Sequence, residues 1–576
     1  MFGPRSCVRI EVSPVPLGRA ARTMKMSRAR GAILSAGLLL ASVPVVGAAE
    51  GCPDYSPYAR SRHEPFSGGR YALSYMRPAA ACRTFNSSTV ERVIADMAEV
   101  ISDPDLFRLF ENTFPNTLDT AIRWRGHAAD NPAEELAFVI TGDINAMWLR
   151  DSANQLLSYL SVLEPDAAPG EPDSIASLYR GVINLQARYV LTAPFCNSFQ
   201  PPVESGISPA LNPAASDDAV TPPYDPAKVF ECKYELDSLA SFLQLSAAYY
   251  AATHDAAFFG NASTSPNWLP AVRAVLDTAK AMTEGTYADD GSVRAPPYTF
   301  TRRTTRATET LANDGLGSPV RRTGMVRSAF RPSDDATLFP FLVPANMLFA
   351  QALLDASLIA AALGREEGGG NGDGNGDAAA LADEMAAFSR SIREAVSKHG
   401  IVPVSSIGNG TGEGAGAGAG VETVYAYEVD GYGSAALMDD ANLPSLLGAP
   451  VYGYVARGDE VYQRTRARLL RPEGNPYFMT GSVISSVGGP HVGPGMAWPM
   501  ASIVRILTSD DDGEIVQVLR ELLGSTDGLG LMHESVNAND AHLWSREWFS
   551  WANGLFGQMI IDLQRRKPHI LGQSFQ

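Results

Sequence analysis

A helical period recurs through nearly the whole chain, and it constrains the fold more than any other feature. Ser88–Ser102, Ser152–Leu163, Ile175–Leu191 and Leu236–Thr253 each set apolar residues at i, i+3, i+4 and i+7, which gathers them on one face of an α-helix. The spacing returns in Ala271–Glu284, Ala345–Leu363, Ala379–Ser397, Glu460–Leu470, Ala497–Leu507, Asp512–Leu523 and Trp548–Gln564. Polar, proline-rich connections such as Pro201–Lys228 and Ser318–Pro340 lie between them. Strand alternation is scarce, with Val421–Val429 the best short candidate. Of 576 residues 45% are hydrophobic and 19% charged, enough apolar material for a large core. No spacer splits the helices into groups of different character. The expectation is one all-α domain over residues 88–566, after an N-terminal segment 49–87 and before a tail 567–576. Helical hairpins in this number commonly close into a toroid, with inner helices ringing a cavity. Glycine-rich stretches near 366–377 and 408–420 interrupt the domain. Neither follows a strand or ends in the Lys-Ser/Thr of a phosphate-binding loop, so both read as surface insertions.

Gly31–Ala49 is the only long uncharged apolar run, with Arg28 and Arg30 before it and Val46-Gly47-Ala48 near its end. That order reads as a secretory signal within residues 1–48. The 23 residues before Met24 are long for a basic leader. Either Met24 or Met26 is the start, or the run is an uncleaved anchor, for which Pro44 makes it a poor candidate. Both alternatives send the rest of the chain into the secretory pathway, and secretion is the expected destination. Beyond the signal stand Cys52, Cys82, Cys196 and Cys232, an even number suited to an oxidising compartment. Proximity in sequence favours Cys52–Cys82 and Cys196–Cys232 among the three possible pairings. Asn86, Asn261 and Asn409 open glycosylation triplets. Asp and Glu number 63 against 46 Lys and Arg, a net charge of -17 that repels phosphate backbones, so nucleic acid is not an expected partner. No C-x-x-C or H-E-x-x-H pattern points to a metal.

Polar and aromatic residues crowd at a few helix ends. Thr141–Ser152 sets Trp148 beside Arg150 and Asp151 ahead of a helix that Asp151 or Ser152 can cap. An indole stacks on the C–H face of a sugar while Arg and carboxylate bond its hydroxyls; a capped helix with a surface ion pair is the plainer reading. Glu231–Ser238 enters the next strong helix, with Glu235 and Asp237 two apart and so pointing in different directions. Arg331, Asp334 and Asp335 share a loop. Gly488–Gly495 carries His491 before Trp498, and His533-Glu534-Ser535 precedes Arg546–Asn553. Singly, each carboxylate reads as a cap or a solvent-facing charge; their gathering with Trp and His does not.

These segments, T-G-D-I-x-A-M-W-L-R-D-S, E-L-D-S-L, G-M-x-x-S-x-F-R-P-S-D-D, G-P-x-x-x-P-G-x-A-W-P and H-E-S…R-E-W-F-S-W-A-N, resemble glycoside hydrolase family 125 in order from about Ser88 to Leu563. The resemblance implies an (α/α)6 fold and an exo-acting α-1,6-mannosidase that inverts the anomeric centre with no metal and no cofactor. It implies a proton donor at Asp237 and a base at Glu534, with Glu547 as the alternative base. A donor must keep its proton near neutral pH, so Asp237 should be desolvated or beside Glu235 or Asp151. Arg150, Asp151, Arg331, Asp334, Asp335, His491 and His533 are then expected to bind mannose hydroxyls, with Trp148 and Trp498 closing the pocket. The partners implied are α-mannoside oligosaccharides or glycoprotein glycans. A calcium-dependent α-1,2-mannosidase of the same fold and a mannose-binding lectin that has lost hydrolysis are the rival readings.

Overall fold

A computed structural model describes residues 51–165, 174–366, 375–405 and 421–576. The signal-like run, most of both glycine-rich stretches and the triplet at Asn409 lie outside the described residues. The described residues form one compact unit around one large apolar core. All eleven segments with helical period form helices, most with ends displaced by a few residues. We number the helices α1 Tyr55–Ala59, α2 Ser88–Val100, α3 Pro104–Thr113, α4 Leu149–Leu157, α5 Ile175–Thr192, α6 Leu236–Thr253, α7 Trp268–Ala281, α8 Val343–Glu366, α9 Asn375–Ala395, α10 Glu460–Leu469, α11 Pro499–Leu507, α12 Asp512–Gly524 and α13 Ser550–Arg566.

Burial explains their character. The Ser87 hydroxyl accepts from the Val90 amide at the start of α2, and Val90, Ile94 and Met97 give that helix one inward stripe. Helices α6 and α8 lack such a stripe because they are covered on several sides. Helix α8 packs against both α6 and α9. It is long and apolar enough to cross a membrane by composition, yet it lies mostly inside the protein, where the same composition is needed. Helix α4 starts at Leu149, three residues before the expected Ser152. Asp151 and Ser152 therefore sit in its first turn instead of capping it, and Ser152 Oγ donates back to the Trp148 carbonyl at 2.6 Å.

Helices dominate as the all-α expectation requires, but strands are more numerous than the one candidate Val421–Val429. Among the described residues there are seven sheets, each of two or three short strands. Several stand at helix entrances. The first, β1 Met147–Trp148, pairs with β2 Ser198–Phe199, which pairs with β3 Val229–Glu231. The next, β4 Phe341–Leu342, runs into α8 and pairs with β5 Glu428–Val429. Farther on, β6 Met496–Ala497 pairs with β7 Ser535–Asn537, which forms a hairpin with β8 Asp540–Ser545. The expected strand Val421–Val429 is broken in two, since Val421–Tyr425 pairs with Ile401–Ser405 and only Glu428–Val429 joins β4. Both expected disulfides, Cys52–Cys82 and Cys196–Cys232, are present.

Candidate active site

Strand β1 turns directly into α4, β6 leads through Trp498 into α11, and the β7–β8 hairpin leads through Phe549 into α13. These turns bring helix N-termini to one cavity of about 430 Å³. The positive end of a helix favours carboxylates in its first turn, where Asp151 of α4 and Asp237 of α6 stand. Trp148, Arg150, Asp151, Asp334, His491, Trp498 and Glu534 line the cavity, so seven of the eleven expected site residues share one wall. Asp143, Asn442 and Arg546 line it as well. The indole N–H groups of Trp148 and Trp498, Arg150 Nε and Asn442 Oδ1 are buried there without a protein partner. Buried polar atoms are rarely left unpaired, and a polyhydroxyl ligand offers donors and acceptors to all four.

Behind the wall, Arg150 is the hub. Its Nη1 donates to Glu235 Oε2 at 2.6 Å and Asp237 Oδ2 at 3.2 Å, and its Nη2 lies 3.1 Å from Asp151 Oδ2. Asn197 Nδ2 donates to both Glu235 Oε1 (3.2 Å) and Asp334 Oδ1 (3.1 Å), while Lys233 Nζ donates to the Asp334 carbonyl at 2.9 Å. Asp151, Glu235 and Asp237 are buried here with Asp334 half-buried beside them, and Arg150 and Lys233 are the cations packed against the group, with His491 and Arg546 nearby. Such crowding separates the carboxyls into ones that hold a proton and ones that stay charged. Burial pushes Glu235 well above the carboxylate range, against the pull of Arg150. Asp334 hydrogen-bonds Glu235; burial opposes its ionisation, but Lys233 and Arg150 outweigh that and hold it at about 2. In this pair burial favours the protonated form of Glu235, while Lys233 and Arg150 favour the charged form of Asp334. Asp334 has φ +66°, a left-handed backbone uncommon outside glycine.

Asp237 does not reach the cavity. Its side chain is fully buried one layer back, against Arg150, and burial raises its carboxyl to about 6 despite that guanidinium. Three expected hydroxyl-binding residues also sit behind the wall. Arg331 Nε donates to Glu428 Oε1 at 2.6 Å, and Asp335 is paired with His491 Nδ1 at 3.3 Å. His533 stacks on Trp544 with ring centroids 4.3 Å apart, and its Nδ1 lies 3.1 Å from the Arg546 carbonyl. Burial lowers His533 to about 4, so it is neutral. Burial works against a charge on His491 too, but Asp335 prevails and raises it to about 9, which makes it a cation on the cavity wall.

Glu534 precedes β7 and is held from the far end of the hairpin. Ser545 Oγ donates to its Oε2 at 2.8 Å and Arg546 Nε to its Oε1 at 3.0 Å, while Arg546 also pairs with Asp143. Glu547 points the other way, with Ser56 Oγ on its Oε1 at 2.6 Å and Arg60 Nη2 on its Oε2 at 3.1 Å. Sequence reasoning passed over Asn442 and Asn197. Asn442 follows the Asp439-Asp440 pair in a turn whose polar crowding was the available signal, whereas Asn197 carried none beyond standing next to Cys196. A larger recess, about 920 Å³, lies at the opposite ends of α4, α11 and α13, lined by Leu157, Leu507, Ile561 and Arg565 among others. It has no pair of facing carboxylates. Among the described residues no three His, Cys, Asp or Glu side chains gather as metal ligands would.

A helix-rich domain whose helix entrances converge on an aromatic, carboxylate-lined cavity has the construction of a glycoside hydrolase. Residues 103–561 match the metal-independent alpha-mannosidases, and the chain belongs to that family, GH125. It is 45% identical over 525 residues to the meiotically up-regulated gene 157 protein of Schizosaccharomyces pombe, covering 91% of this chain and 94% of that one. It is also similar, at 32% identity and a TM-score of 0.67, to a solved Streptococcus pneumoniae structure. That structure is described, within a family of metal-independent alpha mannosidases, as a non-productive substrate complex with α-1,6-mannobiose; the match covers 83% of this chain and 99% of that one.

Proposed function

We propose that this chain releases terminal α-1,6-linked mannose from the non-reducing ends of oligosaccharides or glycoprotein glycans, by inversion and without a metal. One observation carries the reading: Asp334 and Glu534 line the same cavity in unlike surroundings. Glu235, one layer back, is the carboxyl that burial keeps protonated, and Asp334, hydrogen-bonded to it, is the cavity-facing carboxyl through which that proton can pass to the glycosidic oxygen. Glu534 accepts hydrogen bonds at both oxygens, as suits a carboxylate that draws a proton from attacking water. The donor role thus passes from Asp237, which has no face on the cavity, to Asp334. Asp237 acts through Arg150, holding it toward Glu235 and Asp151.

The α-1,6 preference is taken from the ligand of the Streptococcus pneumoniae structure, and exo action from a small cavity walled by Trp148 and Trp498. We read the helices as an (α/α)6 toroid. Supporting this, α4, α11 and α13 bring their N-terminal ends to the cavity and their C-terminal ends to the 920 Å³ recess, as parallel inner helices do. Two disulfides and the exposed side chains of Asn86 and Asn261 support passage through the secretory pathway. The test is a panel of α-1,2-, α-1,3- and α-1,6-mannobioses with and without EDTA. Mannose should come from the α-1,6 dimer, unaffected by chelator. Release from the α-1,2 dimer, lost with EDTA and restored by Ca²⁺, would favour the calcium enzyme, and binding with no release would favour the lectin.

A further inference from the structure

We propose that the disulfide-closed loop Cys52–Cys82, which precedes the family-matched residues, belongs to the catalytic apparatus and positions Glu534 through Glu547 and Arg546. The inference rests on the reading of Glu534 as the base. Three consecutive residues link the loop to the cavity. Arg546 faces Glu534, with Nε 3.0 Å from its Oε1. Glu547 turns to the opposite side, onto α1, where Ser56 and Arg60 occupy both of its oxygens. Trp548 packs edge-on against Tyr55 at 4.7 Å, and its Nε1 donates to Asn116 Oδ1 at 2.9 Å. The Tyr55 hydroxyl in turn donates to the Met76 carbonyl at 2.8 Å, tying α1 to the returning arm of the same loop.

The backbone at Arg546 needs this support. Its φ is +49°, and a non-glycine residue held there persists only when its surroundings impose the conformation. The Glu547 side chain is 4% exposed and the Arg60 side chain 63%, so a buried carboxylate depends on a cation reached from the surface. Without Ser56 and Arg60, Glu547 would seek water and carry Arg546 with it. Glu534 would then keep Ser545 but lose the guanidinium that sets its direction. Because most of the cavity lining, Trp148, Arg150, Asp151, Asp334, His491 and Trp498, lies on other elements, the cost should fall more on turnover than on binding.

The test uses the full chain with α-1,6-mannobiose as substrate. The double variant Ser56→Ala/Arg60→Ala should lower kcat per folded molecule about 10–100-fold, a larger change than any in KM, and Arg60→Lys should recover most of the loss. Unchanged kcat in the double variant would overturn the proposal. So would a drop in Tm with normal kcat and KM per folded molecule, since the loop would then be only a structural brace. If the wild-type chain itself releases no mannose, the underlying functional reading has failed, an outcome distinct from either.

Discussion

Asp237 and Asp334 differ in one respect: only the second has a face on the cavity. Replacing Asp334 by Asn should therefore cost about 10²–10⁴-fold in kcat on α-1,6-mannobiose. An activated aryl mannoside needs less help in departing and should be partly spared. Glu534→Gln should lose as much on both substrates, because water must be activated whatever the leaving group. Steady-state kinetics on the two substrates check this, and equal losses for Asp334→Asn would remove it as donor. His491 makes a separate claim. Its folded-state pKa, about 9, lies above the ordinary 6.5 because of Asp335. The stabilisation is therefore fully present below about pH 6.5 and is lost as pH rises through about 9. His491→Asn should flatten that part of the stability profile in thermal melts run from pH 6 to 10. At this scale the sequence was informative about residue types and less so about direction. The motifs around Trp148, Asp334, His491 and Glu534 do meet at one wall, and Glu534 and Glu547 prove to face opposite ways. That Asp237 stands behind Arg150 depends on where the cavity opens, which no local pattern encodes.

Helices with an apolar stripe were legible because their period is a direct trace of one-sided burial. Helix α3 was missed, although Asp103 at its cap and Pro104 at its first position are a recognisable start. The short strands were missed because two or three residues are too few to show alternation. Their pairing depends on distant partners, as when β6 meets β7. Asp103 offers a test at this scale. Its Oδ1 accepts from the Asp105 and Leu106 amides, both at 3.0 Å, and its Oδ2 accepts from the Phe575 amide and from Gln576 Nε2, both at 2.7 Å. The expected tail 567–576 is thus pinned to the body, with Phe575 buried. Asp103→Ala removes a helix cap and this anchor together. It should cost about 1–2 kcal/mol by the capping term alone, seen as a lower midpoint in chemical denaturation with kcat per folded molecule unchanged. A variant with the wild-type midpoint would show that neither contact matters to stability.

Across the molecule, one core carries helices whose N-terminal ends share a cavity, with buried carboxyls and cations packed behind it. The helical architecture and the order of the motifs were legible in the sequence, since both survive projection onto a line. The pairing of Asp334 with Glu235, 99 positions apart, and the bracing of Glu547 by Ser56 and Arg60 were not. Such pairs exist only once the chain has closed on itself. The central claim is that water, drawn by Glu534, attacks the anomeric carbon while Asp334 protonates the departing oxygen. That claim fixes the configuration of the first sugar to leave. Proton NMR of α-1,6-mannobiose digested by the full chain, recorded before mutarotation, reads it directly. The account requires β-mannose as the first product; α-mannose would mean a retaining mechanism and would contradict it.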